Sequence, residues 1–198
     1  MPVASFGVIS PEKLFKMSAK MYFLAILTPQ EVNVKVLEWK HYMREHFGCV
    51  VALRSPAHIT LIPPFWMNEE MEPTLIADVE SFSAEQKQFK IELQDFDAFR
   101  PKVIFLHVKP SESLTRLQSD LERDLLSKET YPIKKEERPF HPHVTIANRD
   151  LMRKDFPEAF KHFEKIAYKQ TYMTAEIALL KHIAGEWKTV HQFPFGNA

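Results

Sequence analysis

"SPAHITLIPPF" (Ser55–Phe65) and "ERPFHPHVTIANRD" (Glu137–Asp150) carry the same four-residue pattern, histidine–apolar–threonine–apolar, at His58–Leu61 and again at His143–Ile146. In an extended strand, residues i and i+2 share a face. His58 and Thr60 therefore lie on one face, with Ile59 and Leu61 on the other. The same alternation sets His143 and Thr145 against Val144 and Ile146. Each segment reads as a strand that buries its apolar face and presents an imidazole and a hydroxyl opposite. Random placement of the chain's histidines and threonines gives roughly 0.4 His-x-Thr triplets, and about 0.08 with apolar residues at both remaining positions. The doubling points to one site, half of it supplied by each of two equivalent strands.

The flanking sequence repeats with the motif. "KMYFLAILTP" reads as a buried strand and Pro29–Gly48 as a helix, with proline suited to its first turn and glycine to its stop. "CVVAL" is a short strand candidate, followed by "HITLI", which Pro63-Pro64 should end. Glu72–Lys87 is helical, and Phe89–Phe99 alternates like a half-buried strand. The order then recurs: strand Lys102–Pro110, helix Ser111–Lys128 with Ser111 as N-cap, a charged loop, and strand "HVTIA". Asp150–Ile166 has a helical pattern that Pro157 should break. "YMTAEIALLKH" and "WKTVHQFPF" form a closing antiparallel pair around Ala184-Gly185. Two α/β lobes related by a pseudo-twofold axis follow, over roughly 20–100 and 101–198. Residues 1–19 stand outside the repeat as an N-terminal extension.

Composition excludes several function classes. The 198 residues carry zero formal net charge, which argues against coating long nucleic acid but not against binding a small phosphate ligand or an RNA end. Four glycines and no phosphate-loop signature exclude a glycine-rich cradle. The single cysteine, Cys49, allows no intramolecular disulfide and fits a cytoplasmic setting, where it reads as a small buried hydrophobe. No apolar run is long enough to span a membrane.

The paired motifs resemble those of the two-histidine (2H) phosphoesterases, and in particular the 2'-5' RNA ligase or RNA 2',3'-cyclic phosphodiesterase family. "HITLIPPF" and "RPFHPHVTIA" carry the resemblance, and the repeated element order extends it over about residues 20–195. It implies an α/β (α+β) bilobal fold, two mainly antiparallel sheets with outer helices around a central cleft, and a reaction that needs no metal or other cofactor. His58 and His143 would be catalytic, and Thr60 and Thr145 would bind the substrate phosphate. Many relatives place an arginine directly after the second motif; here Asn148 stands there and Arg149 follows.

The chemistry suits those side chains. Opening a cyclic phosphodiester requires a base for water and an acid for the leaving ribose oxygen, and imidazole titrates near neutral pH. Threonine hydroxyls can donate to non-bridging phosphate oxygens. The residues leave open which histidine is acid and which is base. Arg149, Arg138, Arg100 and Arg54 are candidates for gripping phosphate, and Phe65, Trp66 and Phe140 for stacking on a base. The expected partner is a small nucleotide or RNA end carrying a cyclic phosphate or 2'-5' linkage. Weak reverse 2'-5' ligation would follow from microscopic reversibility. The alternative is an RNA-end or nucleotide binding module with little turnover.

Overall fold

A computed structural model describes residues 19–196. The elements are β1 (Ala19–Leu27), α1 (Gln30–Phe47), a 3-10 turn (Val51–Arg54), β2 (His58–Asn68), a second 3-10 turn (Glu69–Met71), α2 (Glu72–Ala84), β3 (Phe89–Phe99), β4 (Val103–Val108), α3 (Glu112–Ser127), β5 (His143–Ala147), α4 (Phe156–Phe163), β6 (Lys169–Thr174), β7 (Glu176–Ile183) and β8 (Glu186–Pro194). The expected extension over 1–19 lies outside the described residues, apart from Ala19, which opens β1.

The strands form an antiparallel sheet in the order β6-β3-β4-β5-β2-β1-β7-β8. Its two four-stranded lobes meet at the centre, where β2 and β5 are joined through Ile59 and Val144. Outward from that seam β2 answers β5, β1 answers β4, β7 answers β3 and β8 answers β6, which is the pseudo-twofold that the sequence repeat suggests. The lobes are not the two halves of the chain, however. β3 pairs with β4, its neighbour across a short turn, and so lies in the lobe of the second motif, while β7 and β8 join β1 in the lobe of the first. Short connections favour pairing with the sequence neighbour, which sets β3 beside β4 and β8 beside β7, whereas β7 leaves its neighbour β6 and crosses the seam to pair with β1.

The helices cross as well. α1 packs on β5 and α3 packs on β2. The stripe of α3, Leu114, Leu117, Leu121 and Leu125, has helical spacing and is buried, and Ser111 Oγ caps the helix by accepting from the N–H of Leu114. Ile59, Leu61, Val144 and Ile146 lie in the same core, which leaves the opposite sheet face to the histidines. Burying each such aliphatic side chain is worth about 1.5–3 kcal/mol, so the apolar alternation also fixes which way the imidazoles point.

Four local expectations are corrected. "CVVAL" is not a strand: the N–H groups of Val50 and Val51 donate to Asp150 Oδ2 (2.6 and 2.8 Å) and are lost to any ladder, and Val51–Arg54 closes as a 3-10 turn. β2 does not end at Pro63-Pro64 but runs on to Asn68. Against β1 it carries one extra residue between Thr60 and Ile62 and another between Ile62 and Phe65, and a bulge tolerates a residue without an N–H. Pro157 opens α4 in its first turn rather than breaking a longer helix. "YMTAEIALLKH" is split at Ala175 between β6 and β7, which belong to different lobes. The closing hairpin stands as expected, with Ala184 (φ 50°) and Gly185 (φ 88°) supplying the left-handed residues of a tight turn.

Candidate active site

Both histidines are held in the same way. The Nδ1–H of His58 donates to the carbonyl of Pro56 (2.8 Å), and that of His143 donates to the carbonyl of His141 (2.7 Å). A carbonyl oxygen can only accept, so Nδ1 carries the hydrogen and Nε2 is left for substrate. Neither the Thr60 nor the Thr145 hydroxyl has a partner among the described side-chain hydrogen bonds. The four residues come together where two cavities meet. One, of about 450 Å³, is lined by Thr60, His143, Phe99, Phe140 and Arg138. The other, of about 170 Å³, is lined by His58, Thr60, Thr145, Asn148, Arg149 and Trp187.

The surroundings of the two imidazoles differ. His58 packs against Phe23 (4.8 Å between ring centroids), and Phe23 in turn meets Trp187 edge-on (4.6 Å). Burial pushes its pKa down to about 4, helped by the Lys40 ammonium and by His143. His143 packs against Phe99 and Phe105, each at 5.1 Å, and these two rings are in contact with one another (4.5 Å). Its pKa is also lowered, first by burial and then by His141, while the hydrogen bond to the His141 carbonyl opposes the shift.

Lys40 is a functional candidate that the motifs do not mark. It lies in the buried stripe of α1 with Val32, Val36 and Met43, is 3% exposed, and donates to the carbonyl of Ser55 (3.0 Å). Burial lowers its pKa to about 8. It thereby holds the Ser55–Pro56 segment whose next carbonyl holds His58. A polar residue at helical spacing within an apolar stripe is the signal that could have found it. Phe23 and Trp187 give none, because the pairing of β1 with β7 and of β7 with β8 brings them together.

The other expected contacts separate. Arg149 and Phe140 line the cavities. Arg138 lines the larger one, but is 85% exposed and paired with Glu136 (3.0 Å). Phe65 is 6% exposed and lies in the core, whereas its neighbour Trp66 is 57% exposed. Arg100 stacks over Phe156 and Phe160 (5.6 and 4.8 Å), and Arg54 lies with Lys40 in a further cavity that shares Ser55 and Trp187 with the one at His58. His141 is an exposed loop residue, as expected. Cys49 is buried, which pushes its thiol pKa up to about 11.

The sequence profile of the 2'-5' RNA ligase superfamily matches residues 28–186. The chain belongs to this superfamily. Two curated relatives are similar to the chain over most of their length, each named "Putative phosphoesterase". The protein of Geobacillus sp. (strain WCH70) is 30% identical over 89% of this chain and 96% of its own. That of Geobacillus kaustophilus (strain HTA426) is 27% identical over 73% and 82%. Among solved structures, E. coli LigT complexed with 3'-AMP has a TM-score of 0.65 at 21% identity, covering 90% of this chain and 99% of LigT. TT0787 of Thermus thermophilus has a TM-score of 0.62 at 20% identity, covering 90% and 100%. These likenesses establish the 2H phosphoesterase fold, and superfamily membership makes the chain a phosphoesterase-superfamily enzyme. No described helix is long and apolar enough to cross a membrane.

Proposed function

We propose that this superfamily member hydrolyses 2',3'-cyclic phosphates, or 2'-5' phosphodiesters, at nucleotide or RNA ends by metal-independent acid–base catalysis. The observation that carries this reading is the repeated arrangement of the two imidazoles, each with Nδ1 tied to the carbonyl two residues back and Nε2 left toward a shared cleft edged by unpartnered threonine hydroxyls. Water attacks phosphorus while a neutral imidazole takes its proton. The bond from phosphorus to one ribose oxygen breaks, and an imidazolium protonates that oxygen. Thr60 and Thr145 donate to the non-bridging oxygens as charge develops there. His58, with the Lys40 charge behind it, takes the neutral role as base, and His143 the protonated one. Lys40, which shares no bond with substrate, acts as a positioning residue. E. coli LigT has been solved with 3'-AMP, ATP and NADP+, which supports a nucleotide in the corresponding cleft here.

The test is hydrolysis of 2',3'-cyclic mononucleotides in EDTA by the wild type, His58→Ala and His143→Ala. Each substitution should lower kcat/KM by about 10²–10⁴-fold. Equal turnover in all three proteins would overturn the catalytic assignment. Undiminished nucleotide binding without turnover in the wild type would favour the binding-module reading.

A further inference from the structure

β2 runs eleven residues and β5 only five, so the first motif has a strand extension that the second lacks. The two bulges in β2 add one residue each, which restores its alternation. Trp66 pairs with Met21, two residues along β1 from Phe23, and so returns to the sheet face that carries His58 and Thr60. There it is 57% exposed, so its aromatic face is open to solvent.

Trp66 lines a cavity of about 370 Å³ together with Pro64, Ile133, Lys134 and Lys135. That cavity shares Pro63 and Glu136 with the one at His143. A groove therefore leads from the catalytic cleft along β2 to Trp66. Its far wall is the loop before β5, pinned at two points. Buried Tyr131 bonds through its hydroxyl to Asp78, and the N–H of Glu136 donates to Glu122 Oε1 (3.0 Å). Glu136 also lies along the groove, but its carboxylate is engaged by Arg138 (3.0 and 3.2 Å). Lys134 and Lys135 are exposed and make no ion pair among the described residues. An aromatic face and free ammonium groups along one groove match the requirements of single-stranded nucleic acid, a stacking platform beside backbone charge.

We propose that this groove is a subsite for the nucleotides 5' of the reacting phosphate, and that the substrate class is a short single-stranded RNA end rather than a mononucleotide. This rests on the phosphoesterase reading. Thr60 pairs with Ala25 and Trp66 with Met21, four positions apart on β1, so about 13 Å separates them along the sheet, which is beyond the base of the nucleotide that bears the cyclic phosphate. Trp66 stacks on an upstream base, and Lys134 and Lys135 meet backbone phosphates.

The experiment compares kcat/KM in EDTA for a cyclic mononucleotide and for a hexanucleotide ending in a 2',3'-cyclic phosphate. The proteins are the wild type, Trp66→Ala and the double variant Lys134→Ala/Lys135→Ala. The wild type should prefer the hexanucleotide. Trp66→Ala should lower that preference about 10-fold while leaving mononucleotide turnover unchanged. The double lysine variant should flatten the salt dependence of the hexanucleotide reaction by about 0.7 in log–log slope per lysine. Equal wild-type rates on both substrates, or variants that leave the hexanucleotide rate unchanged, would overturn the subsite. Turnover of neither substrate by the wild type would instead sink the cyclic-phosphate reading. Fluorescence anisotropy of a labelled hexanucleotide 3'-phosphate would then decide the groove, with weaker binding to Trp66→Ala supporting it and equal binding overturning it.

Discussion

The two lobes hold their histidines by the same bond and treat them differently. On the β2 side, His58 has Phe23 against its ring and a buried ammonium behind its loop; on the β5 side, His143 has two phenylalanine rings and an exposed neighbouring imidazole. Symmetry places the two groups, and departures from symmetry set their proton affinities. An acid–base pair needs both, because two imidazoles in identical surroundings would have no reason to divide the roles.

The largest effect that separates the lobes is on stability against pH. The folded pKa of His58 is about 4, against an ordinary value near 6.5. Between those values the unfolded chain binds more protons, so stability present above pH 6.5 is lost as pH falls toward 4, by on the order of 3 kcal/mol from this group. His143 acts in the same sense with a smaller shift. Urea denaturation at a series of pH values should show the acid loss flattening more in His58→Asn than in His143→Asn. Lys40→Met should weaken it as well, by removing the charge that helps hold His58 neutral. Lys40 leaves its own mark at the other end of the scale. Its folded pKa is about 8, below the ordinary lysine value, so wild-type stability should rise from pH 8 to about 10.5, and Lys40→Met should lack that rise. Equal slopes in the two histidine variants would mean that the lobes are electrostatically equivalent.

A smaller effect tests how the lobes are joined. Asp150, just beyond β5, accepts from Val50 and Val51, just before β2, so one carboxylate ties the approach to the first motif to the exit from the second. Asp150→Ala leaves two backbone donors without that partner and should cost about 1–3 kcal/mol in chemical denaturation. The same variant should lower activity on cyclic nucleotides, since the turn it supports leads into Ser55, Pro56 and His58. Loss of stability without loss of activity would make this contact purely a fastening.

Much of this was legible in the sequence, for an identifiable reason. The alternation in "HITLI" and "HVTIA" specifies both the strand and its face, and the four motif residues stand where that alternation puts them. The helical stripe and cap of α3 were equally plain. What escaped was decided by contacts distant in sequence. "CVVAL" has the composition of a strand, but its amides are taken by a carboxylate about 100 residues away. β3 and β7 change lobes because of strand pairing, which no local pattern records. Phe65 and Trp66 are alike as stacking candidates in the sequence, and only the register against β1 separates them, setting Phe65 beside Tyr22 in the core and Trp66 beside Met21 on the histidine face. Lys40 becomes part of the site only once the Ser55 carbonyl is seen above it.

The smallest difference lies in how the equivalent helices begin. α1 and α3 occupy matching places in the two repeats, yet α3 starts with a serine whose hydroxyl accepts from the N–H of Leu114 (3.2 Å), while α1 starts after Pro29 with no side-chain cap. Ser111→Ala should therefore cost about 1 kcal/mol in chemical denaturation. The reverse substitution is the sharper test. Pro29→Ser gives α1 a hydroxyl in the capping position, worth about 1 kcal/mol, but frees a backbone that proline restrains in the unfolded chain, which costs about 0.4–1 kcal/mol. The two effects nearly cancel, so stability should move by less than about 0.5 kcal/mol. A loss near that of Ser111→Ala would show that Pro29 itself holds the start of α1, and that the first lobe relies on chain stiffness where the second relies on a hydrogen bond.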